Sequence, residues 1–375
     1  MNIQKIGRNI ANANPSFAPA LKTIHFRSSR MRHTLAATWP SLIRARTEKI
    51  TIAITAHCNL RCTGCRYGRD FMPGSILPYE IVHSALEDAA AAGIPGVRLY
   101  GGEPLLHPDL PKMIRTAKQF DVGAYVTTNG IVLDNRIAEL YESGLRKATI
   151  GYYGKDEEYD RYVQRPGRYQ RLIKSLEKTR KQFGPDKLDL QFNFLLSRRS
   201  NEIDCFEQLR ALAERYDARI QIDIVHYSLP YFTDSPESDL QFRQQDAEKL
   251  RYMADHLIRL KAKTPDLLVE SEASLAAIPD WALSRESINI PCDAGKLLWI
   301  GADGSVKLCY VTFDLGNLHQ QRLREMLYTD AHHQAARDAF QLKCPNCHCE
   351  RGARIEKHSP SLSRYSELAR SVLQP

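Results

Sequence analysis

The chain has 375 residues, of which 43% are hydrophobic, and a formal net charge of +8. That length supports a sizeable core and two domains, and no continuous apolar run reaches the roughly 18 residues of a membrane span. Nine cysteines, eight of them in two groups, argue for metal binding in a reducing compartment and against a disulfide framework.

The charge is uneven. The first 49 residues hold Lys5, Arg8, Lys22, Arg27, Arg30, Arg32, Arg44, Arg46 and Lys49 against a single acid, Glu48, and so carry the whole excess. The remainder balances 43 basic residues against 43 acidic ones, which argues against a nucleic-acid partner. Residues 1–48 are expected to form a basic N-terminal extension, read first as a solvated helix. Peripheral contact with a membrane surface or an acidic partner is the alternative. The start of the chain lacks the short apolar core of a secretory signal, so a cytoplasmic location is expected.

From residue 49 strand and helix signals alternate. Strands are predicted at 49–55, 96–100, 123–127, 147–152, 188–196 and 219–226. Helices are predicted at 78–92, 109–120, 133–143, 169–183 and 202–216. Six such units predict an α/β fold with a parallel sheet and crossover helices. A full eight-unit barrel takes about 250 residues, so residues 49–234 are expected to form a partial (β/α)6 TIM-like barrel. Residues 235–288 read as a helical connector, with one long amphipathic helix at 240–263 and an irregular stretch at 264–288. Residues 289–355 form a small cysteine-rich C-terminal domain, and 356–375 a tail.

Polar and glycine-rich motifs follow the first three strands and are expected to share one mouth of the barrel. The first is Cys58-x3-Cys62-x2-Cys65. Three close thiolates suit a [4Fe-4S] cluster that keeps one iron open to a ligand, whereas four would close it. A zinc site with His57 as fourth ligand, or buried apolar cysteines, are the bland alternatives. Gly101-Gly102-Glu103-Pro104 follows the second strand, and Thr128-Asn129-Gly130 the third.

A second cysteine group begins at Cys292. Asp303-Gly304 lies between apolar runs and reads as a hairpin turn, which lets Cys292 and Cys309 meet. Cys344-Pro345-Asn346-Cys347 presents two more sulfurs at Cys-x2-Cys spacing. Four such ligands suit either zinc or a second [4Fe-4S] cluster. Cys349 competes with Cys347 for the last position, and His348 is a further candidate. Among other residues, His332 and His333 read as solvated, Arg161 and Arg165 as surface arginines, and Cys205 as a buried core thiol. Tyr227 and Tyr231 are placed near the barrel mouth.

The chain resembles the radical S-adenosylmethionine (SAM) superfamily. The resemblance rests on Cys58, Cys62 and Cys65, on Gly101-Gly102-Glu103-Pro104, and on the six strand–helix units. The C-terminal group resembles the SPASM/twitch extension in its one-cluster form: Cys292, Gly304, Cys309, Cys344 and Cys347. The match covers about 49–230 and 289–350. The family often places an aromatic residue before the third cysteine. Gly64 stands there, and Tyr67 or a neighbouring loop is left to approach the adenine.

The resemblance implies an enzyme with two [4Fe-4S] clusters and SAM as cofactors. Cys58, Cys62 and Cys65 would hold the SAM-binding cluster. Cys292, Cys309, Cys344 and Cys347 would hold the auxiliary one. Gly101, Gly102, Glu103 and Pro104 would approach the methionyl amine, and Thr128 and Asn129 the ribose. Reductive SAM cleavage would then lead to hydrogen abstraction from a small metabolite or a peptide. An external one-electron donor such as flavodoxin or ferredoxin is implied. Only about 48 residues precede the first strand, short for a leader-peptide-binding domain, which tilts the expectation toward a small molecule or a peptide delivered by a separate carrier. Epimerisation with Cys205 or Cys349 as hydrogen donor, a non-catalytic zinc-binding protein, and RNA modification are the other readings.

Overall fold

A computed structural model describes residues 18–358 except 230, 231, 233–237, 310 and 311. Tyr231 and the expected tail from 359 onward lie outside the described residues. Six parallel strands run in chain order: β1 (Lys49–Thr55), β2 (Gly96–Gly101), β3 (Gly123–Thr128), β4 (Lys147–Tyr152), β5 (Asp189–Leu196) and β6 (Arg219–Ile224). Each pairs with the next through parallel ladders, such as Ile50 with Val97 and Ile150 with Phe192. β1 reads Lys-Ile-Thr-Ile-Ala-Ile-Thr and is buried from its second residue to its last. Burial on both faces is what a parallel strand covered by helices requires.

Helix α1 (Ala18–Ala36) precedes the sheet. The crossovers are made by α2 (Tyr79–Ala91), α3 (Leu110–Gln119), α4 (Leu133–Glu142), α5 (Asp156–Val163) with α6 (Arg168–Gln182), and α7 (Ile203–Arg215). Their apolar faces, including Leu86, Met113, Ile137, Leu172 and Phe206, seal the outer side of the sheet. The sheet does not close on itself, so the fold is a partial α/β barrel.

The sheet continues past the six units. β7 (Leu297–Ile300) pairs parallel to β1, and β8 (Ser305–Leu308) and β9 (Phe313–Asn317) follow antiparallel, giving the order β6-β5-β4-β3-β2-β1-β7-β8-β9. The hairpin between β7 and β8 turns at Asp303-Gly304, where Gly304 has φ +79°. The cysteine-rich region is thus fused to the barrel by a strand ladder. Side chains reinforce it: Trp299 donates to the Tyr100 hydroxyl, and the Ala302 amide to Tyr67 at 3.2 Å. Arg322 grips the buried Asp88 of α2 at 2.7 and 3.1 Å.

Three expectations change. The connector helix, α8, spans Ala247–Lys263, starting later than 240 because a separate 3-10 turn, Gln244–Asp246, precedes it, with the Asp246 carboxylate accepting from the Arg243 amide at 2.8 Å. Residues 264–288 are not irregular but contain α9 (Glu272–Ala276), capped by Ser271, and α10 (Ile278–Ser284), with Pro279 in its first turn. His332 lies in α12 (Asp330–Phe340), which follows the short α11 (Leu323–Met326). It is fully buried rather than solvated, and accepts from the Tyr328 amide at 3.0 Å.

The N-terminal helix packs against α13 (Arg351–His358). His33 is buried between Asp293 at 3.2 Å and His358 at 3.1 Å. Burial disfavours the Asp293 charge, yet His33, Lys296 and Lys357 outweigh it and hold the carboxyl well below the usual range. Arg27 and Arg32 face solvent beside the exposed Met31, Leu35 and Trp39.

Candidate functional site

The carboxyl ends of the six parallel strands open into a cavity of about 660 Å³. Its walls include Cys58, Cys62 and Cys65, Gly101 and Gly102, and Thr128 and Asn129. Motifs about 70 residues apart in the chain therefore converge, as expected for loops following parallel strands.

Backbone hydrogen bonds fix the cysteine loop. Arg61 and Thr63 donate to the carbonyls of Val163 and Tyr162 at 3.2 and 2.8 Å, and Cys65 donates to Cys62 at 3.1 Å. Gly64 has φ +82°. A side chain is strained in that left-handed region, which accounts for glycine in place of an aromatic residue. Tyr67, two residues after Cys65, is buried against Phe71 and Tyr100 and lines the cavity.

The Gly101-Gly102 turn is locked to the start of this loop. The Gly102 amide donates to the Thr55 carbonyl at 2.7 Å and the Glu103 amide to His57 at 2.8 Å. A Cβ on Gly102 would lie 2.4 Å from the His57 oxygen, and one on Gly101, at φ +149°, 2.1 Å from the Thr55 oxygen. Only glycine permits so close an approach.

Glu103 and Pro104 sit behind the cavity wall. The Glu103 carboxylate accepts from Thr128 Oγ1 at 2.6 Å, the Asn129 amide at 2.8 Å and the Leu105 amide at 3.0 Å. It stitches the turn after β2 to the turn after β3. Burial pushes its pKa up to about 7 against the pull of those three donors. Asn129 reaches back to Asn59 in the cysteine loop at 2.7 Å, closing the ring of motifs.

The three thiols fit a cluster of iron ions. Cys58 is open to the cavity, but the surrounding walls still desolvate it and push its pKa up to about 12, with Glu103 and Cys65 adding to the rise. Burial and the neighbouring sulfurs raise Cys62 further, and burial raises Cys65. A trio of thiolates is therefore unfavourable here without a cation, and a bound metal inverts that preference.

A second set of thiols lines a separate small cavity: Cys292, Cys309, Cys344 and Cys347. Cys292 and Cys309 are buried together, as the hairpin predicted. Arg354, fully buried, holds the loop 344–349 by donating to the Cys347 carbonyl at 2.6 Å and Asn346 Oδ1 at 3.1 Å, and its guanidinium stacks on Trp281. Hydrogen bonds from Cys309 and Cys349 favour a thiolate at Cys347. Cys349 itself lines the large cavity. Cys205 is in the core and Arg161 and Arg165 are exposed, all away from the cavity wall.

Sequence reasoning missed much of the lining. Tyr153 and Tyr162 stack with ring centroids 4.6 Å apart beside Cys62. Lys49, Arg61, Arg69, Arg98 and Arg351 bring five cationic side chains to the wall. Asp223, His226 and His348 occupy the far side. Of these only His348 was singled out, as an alternative ligand beside its flanking cysteines; for Arg98 and Asp223 the signal was their position on strands ending at the site.

Comparison with known proteins agrees with this geometry. Residues 52–195 match the family model of the Radical SAM superfamily, and 292–350 match that of an iron-sulfur cluster-binding domain, SPASM. A GTP 3',8-cyclase of Chlorobaculum tepidum is 32% identical over 169 residues, which is 43% of this chain and 49% of that protein. A probable GTP 3',8-cyclase of Archaeoglobus fulgidus is 33% identical over 129 residues, 34% of this chain and 43% of its own. The chain thus spans about half the length of these curated relatives or less. Among solved structures, anSMEcpe with bound AdoMet and Kp18Cys peptide superposes with a TM-score of 0.60 at 17% identity, over 78% of this chain and 83% of that one. SuiB of Streptococcus suis bound to precursor peptide SuiA gives 0.61 at 14% identity, over 83% and 71%. At such identities the likeness is one of fold.

Proposed function

We infer that this chain, which belongs to the radical SAM superfamily and carries a SPASM-type extension, is an enzyme that binds SAM over the three-cysteine loop and modifies a small anionic molecule in the same cavity. The single observation that carries this reading is the convergence of Cys58, Cys62, Cys65, the Gly101-Gly102 turn and Asn129 on one desolvated cavity. When bound, a [4Fe-4S] cluster and SAM together supply a 5′-deoxyadenosyl radical that takes a hydrogen atom from substrate.

The chain's own residues do the positioning. Cys58, Cys62 and Cys65 would hold the SAM-binding cluster. Gly101 and Gly102 let backbone come close to the methionyl group, and Glu103 acts from behind by fixing both turns. Thr128 and Asn129 stand where a ribose is to be met. Tyr153 and Tyr162 wall off solvent beside Cys62, which protects a reactive intermediate from side reactions. Cys292, Cys309, Cys344 and Cys347 would hold an auxiliary [4Fe-4S] cluster, and an external flavodoxin- or ferredoxin-type protein would be the electron donor. We take 49–234 as the SAM-binding unit and 289–355 as the auxiliary-cluster unit.

Substrate class follows from the lining. Five cationic side chains, Lys49, Arg61, Arg69, Arg98 and Arg351, face three acids, Asp223, Glu270 and Glu350. The volume lies within the roughly 300–1,000 Å³ of small-molecule sites. A phosphorylated or carboxylated metabolite matches that balance. The named relatives act on GTP, itself an anion, and the solved neighbours that hold peptides keep a peptide substrate as the second reading. Epimerisation is favoured only by Cys349, which lines the cavity. Retained turnover in Cys349→Ala would remove it.

The test is anaerobic reconstitution with iron, sulfide, reductant and SAM. Brown protein absorbing near 400 nm and formation of 5′-deoxyadenosine are expected, with deuterium transfer into 5′-deoxyadenosine from a labelled substrate. Colourless, zinc-loaded protein that leaves SAM intact would instead establish a non-catalytic metal-binding protein.

A further inference from the structure

The far wall of the cavity carries a cluster that the proposed reaction does not use. Asp223 is the penultimate residue of β6, His226 follows two residues beyond that strand, and His348 sits between Cys347 and Cys349. One ligand atom from each lies within 4.8 Å of the other two. The two imidazoles face each other with centroids 4.0 Å apart, and His348 Nε2 is 3.8 Å from Asp223 Oδ1.

His348 is 3% exposed, and neither of its ring nitrogens has a hydrogen-bond partner among the described residues. The backbone of Ile224 also approaches the ring. His226 Nδ1 is likewise without a partner, while its Nε2 faces the Cys349 sulfur at 3.7 Å. Unpaired buried polar groups each cost about 1–3 kcal/mol. Two stacked imidazoles beside a carboxylate, left in that state, are explained by a cation that the three of them share.

We propose that Asp223, His226 and His348 form a third metal site, for a mononuclear divalent transition ion of the zinc type, facing the substrate cavity. Two imidazoles with one carboxylate select such an ion over magnesium or calcium, which take oxygen ligands. Three protein ligands leave a coordination position open, as in catalytic rather than structural sites. That position faces the cavity, where a phosphate, carboxylate or hydroxyl oxygen of the substrate completes the shell. Ligand nitrogens around zinc sit about 3.3 Å apart at bond lengths of roughly 2.0–2.1 Å, so side-chain rotations of about an ångström close the site. The auxiliary thiols are not part of it, since Cys292, Cys309, Cys344 and Cys347 line their own cavity and His348 lines the large one. The anchoring role rests on the proposed function; the ion site does not.

The test uses the full chain with both iron–sulfur sites reconstituted anaerobically, washed with chelator, supplied with zinc and desalted. Metal analysis is expected to find about one zinc per chain alongside about eight irons, the sum for two four-iron clusters. Asp223→Ala and His226→Ala are expected to drop zinc to a tenth or less while iron and sulfide stay unchanged. Wild type retaining no zinc, or both variants retaining it, would overturn the proposal. Zinc-edge X-ray absorption on wild type decides the matter if the variants misfold. A nitrogen and oxygen shell near 2.0–2.1 Å supports the site, and a sulfur shell near 2.3 Å, the mark of zinc in a cysteine site, refutes it. Because the readout is bound zinc, the outcome stands whether or not SAM is cleaved.

Discussion

Gly102→Ala is a sharp test of how the site is built. The added methyl would meet the oxygens of His57 and Ala56 at 2.4 and 2.6 Å and the His57 carbonyl carbon at 2.7 Å. All three are backbone atoms, so nothing can rotate away, and roughly 1 Å of main-chain movement is required to restore normal contact. The turn is held by Gly102 to Thr55 and Glu103 to His57 bonds of 2.7 and 2.8 Å, so that movement stretches both. Overpacking of this kind costs about 1–3 kcal/mol, and each weakened bond about 0.5–1.5 kcal/mol. The expected loss is therefore about 2–6 kcal/mol, or, with about 2.1 cal/mol/K of unfolding entropy per residue over 375 residues, a fall in Tm of roughly 3–8 °C. The same displacement misaligns the cysteine loop, and an ångström of misplacement costs about 10²-fold in rate. Anaerobic thermal unfolding and 5′-deoxyadenosine yield measure the two effects. Gly96→Ala, at the start of β2, is the control: its nearest neighbour is the Gly123 oxygen at 3.5 Å, an ordinary contact, and a change within about 0.5 kcal/mol is expected. If Gly102→Ala matches wild type in both Tm and SAM cleavage, the turn does not position the cofactor as argued.

The remaining predictions separate the two metal sites and their supports. Cys62→Ala is expected to halve bound iron, from about eight to about four per chain, and to abolish SAM cleavage; Cys309→Ala is expected to halve iron while 5′-deoxyadenosine still forms, and equal iron loss in neither variant would refute the assignment of two sites. Arg354→Met removes the donor to the Cys347 and Ile290 carbonyls and to Asn346; at about 1–3 kcal/mol per orphaned group, it is expected to speed iron release from the auxiliary site several-fold in a chelator assay, leaving the SAM site intact. Glu103 carries a pH signature: its folded pKa is raised from 4.5 to about 7 by burial, so its stabilising contribution is fullest below about pH 4.5 and is lost as pH rises through 7, a swing of about 3 kcal/mol. Denaturant unfolding of cluster-free protein should show that slope between pH 5 and 8, and Glu103→Ala should lack it; parallel pH profiles would sink the assignment.

The parallel strands were legible because burial on both faces makes them near-continuous apolar runs, as in Ile50–Ile54 or Leu190–Leu196. The loops that follow them were legible because cysteine and glycine are used there for chemistry that few other residues can supply. Elsewhere local pattern failed for identifiable reasons. His332 looks polar in a polar stretch, yet Thr329 caps its helix and Tyr328 stacks on its ring, and neither contact follows from periodicity. The helices Glu272–Ala276 and Ile278–Ser284 are too short to show a period. The pairing of β7 with β1 joins residues about 250 apart, and no local signal encodes such a partner. The ligand-like trio was hidden for the same reason: Asp223 and His226 are single polar residues at a strand end, and His348 was read only in the context of its flanking cysteines.

The stretch from Cys344 to Arg351 shows why the C-terminal unit has to be welded to the barrel. Cys344 and Cys347 face the small cavity with Cys292 and Cys309, whereas His348 and Cys349 face the large one. One short loop is therefore the partition between the two compartments, and Cys347 and Cys349 remain within hydrogen-bond reach of each other across it. A partition of that thickness works only if its position is held on both sides. Arg354 fixes it from behind, and the β1–β7 ladder fixes the hairpin carrying Cys309 to the strand that launches the cysteine loop at Cys58. In the proposed reaction this geometry lets substrate lie against the SAM side and against the partition that backs the second thiol set at once, with no domain movement. A flexible tether in place of that ladder would leave the distance between the three-cysteine loop and the second thiol set unset.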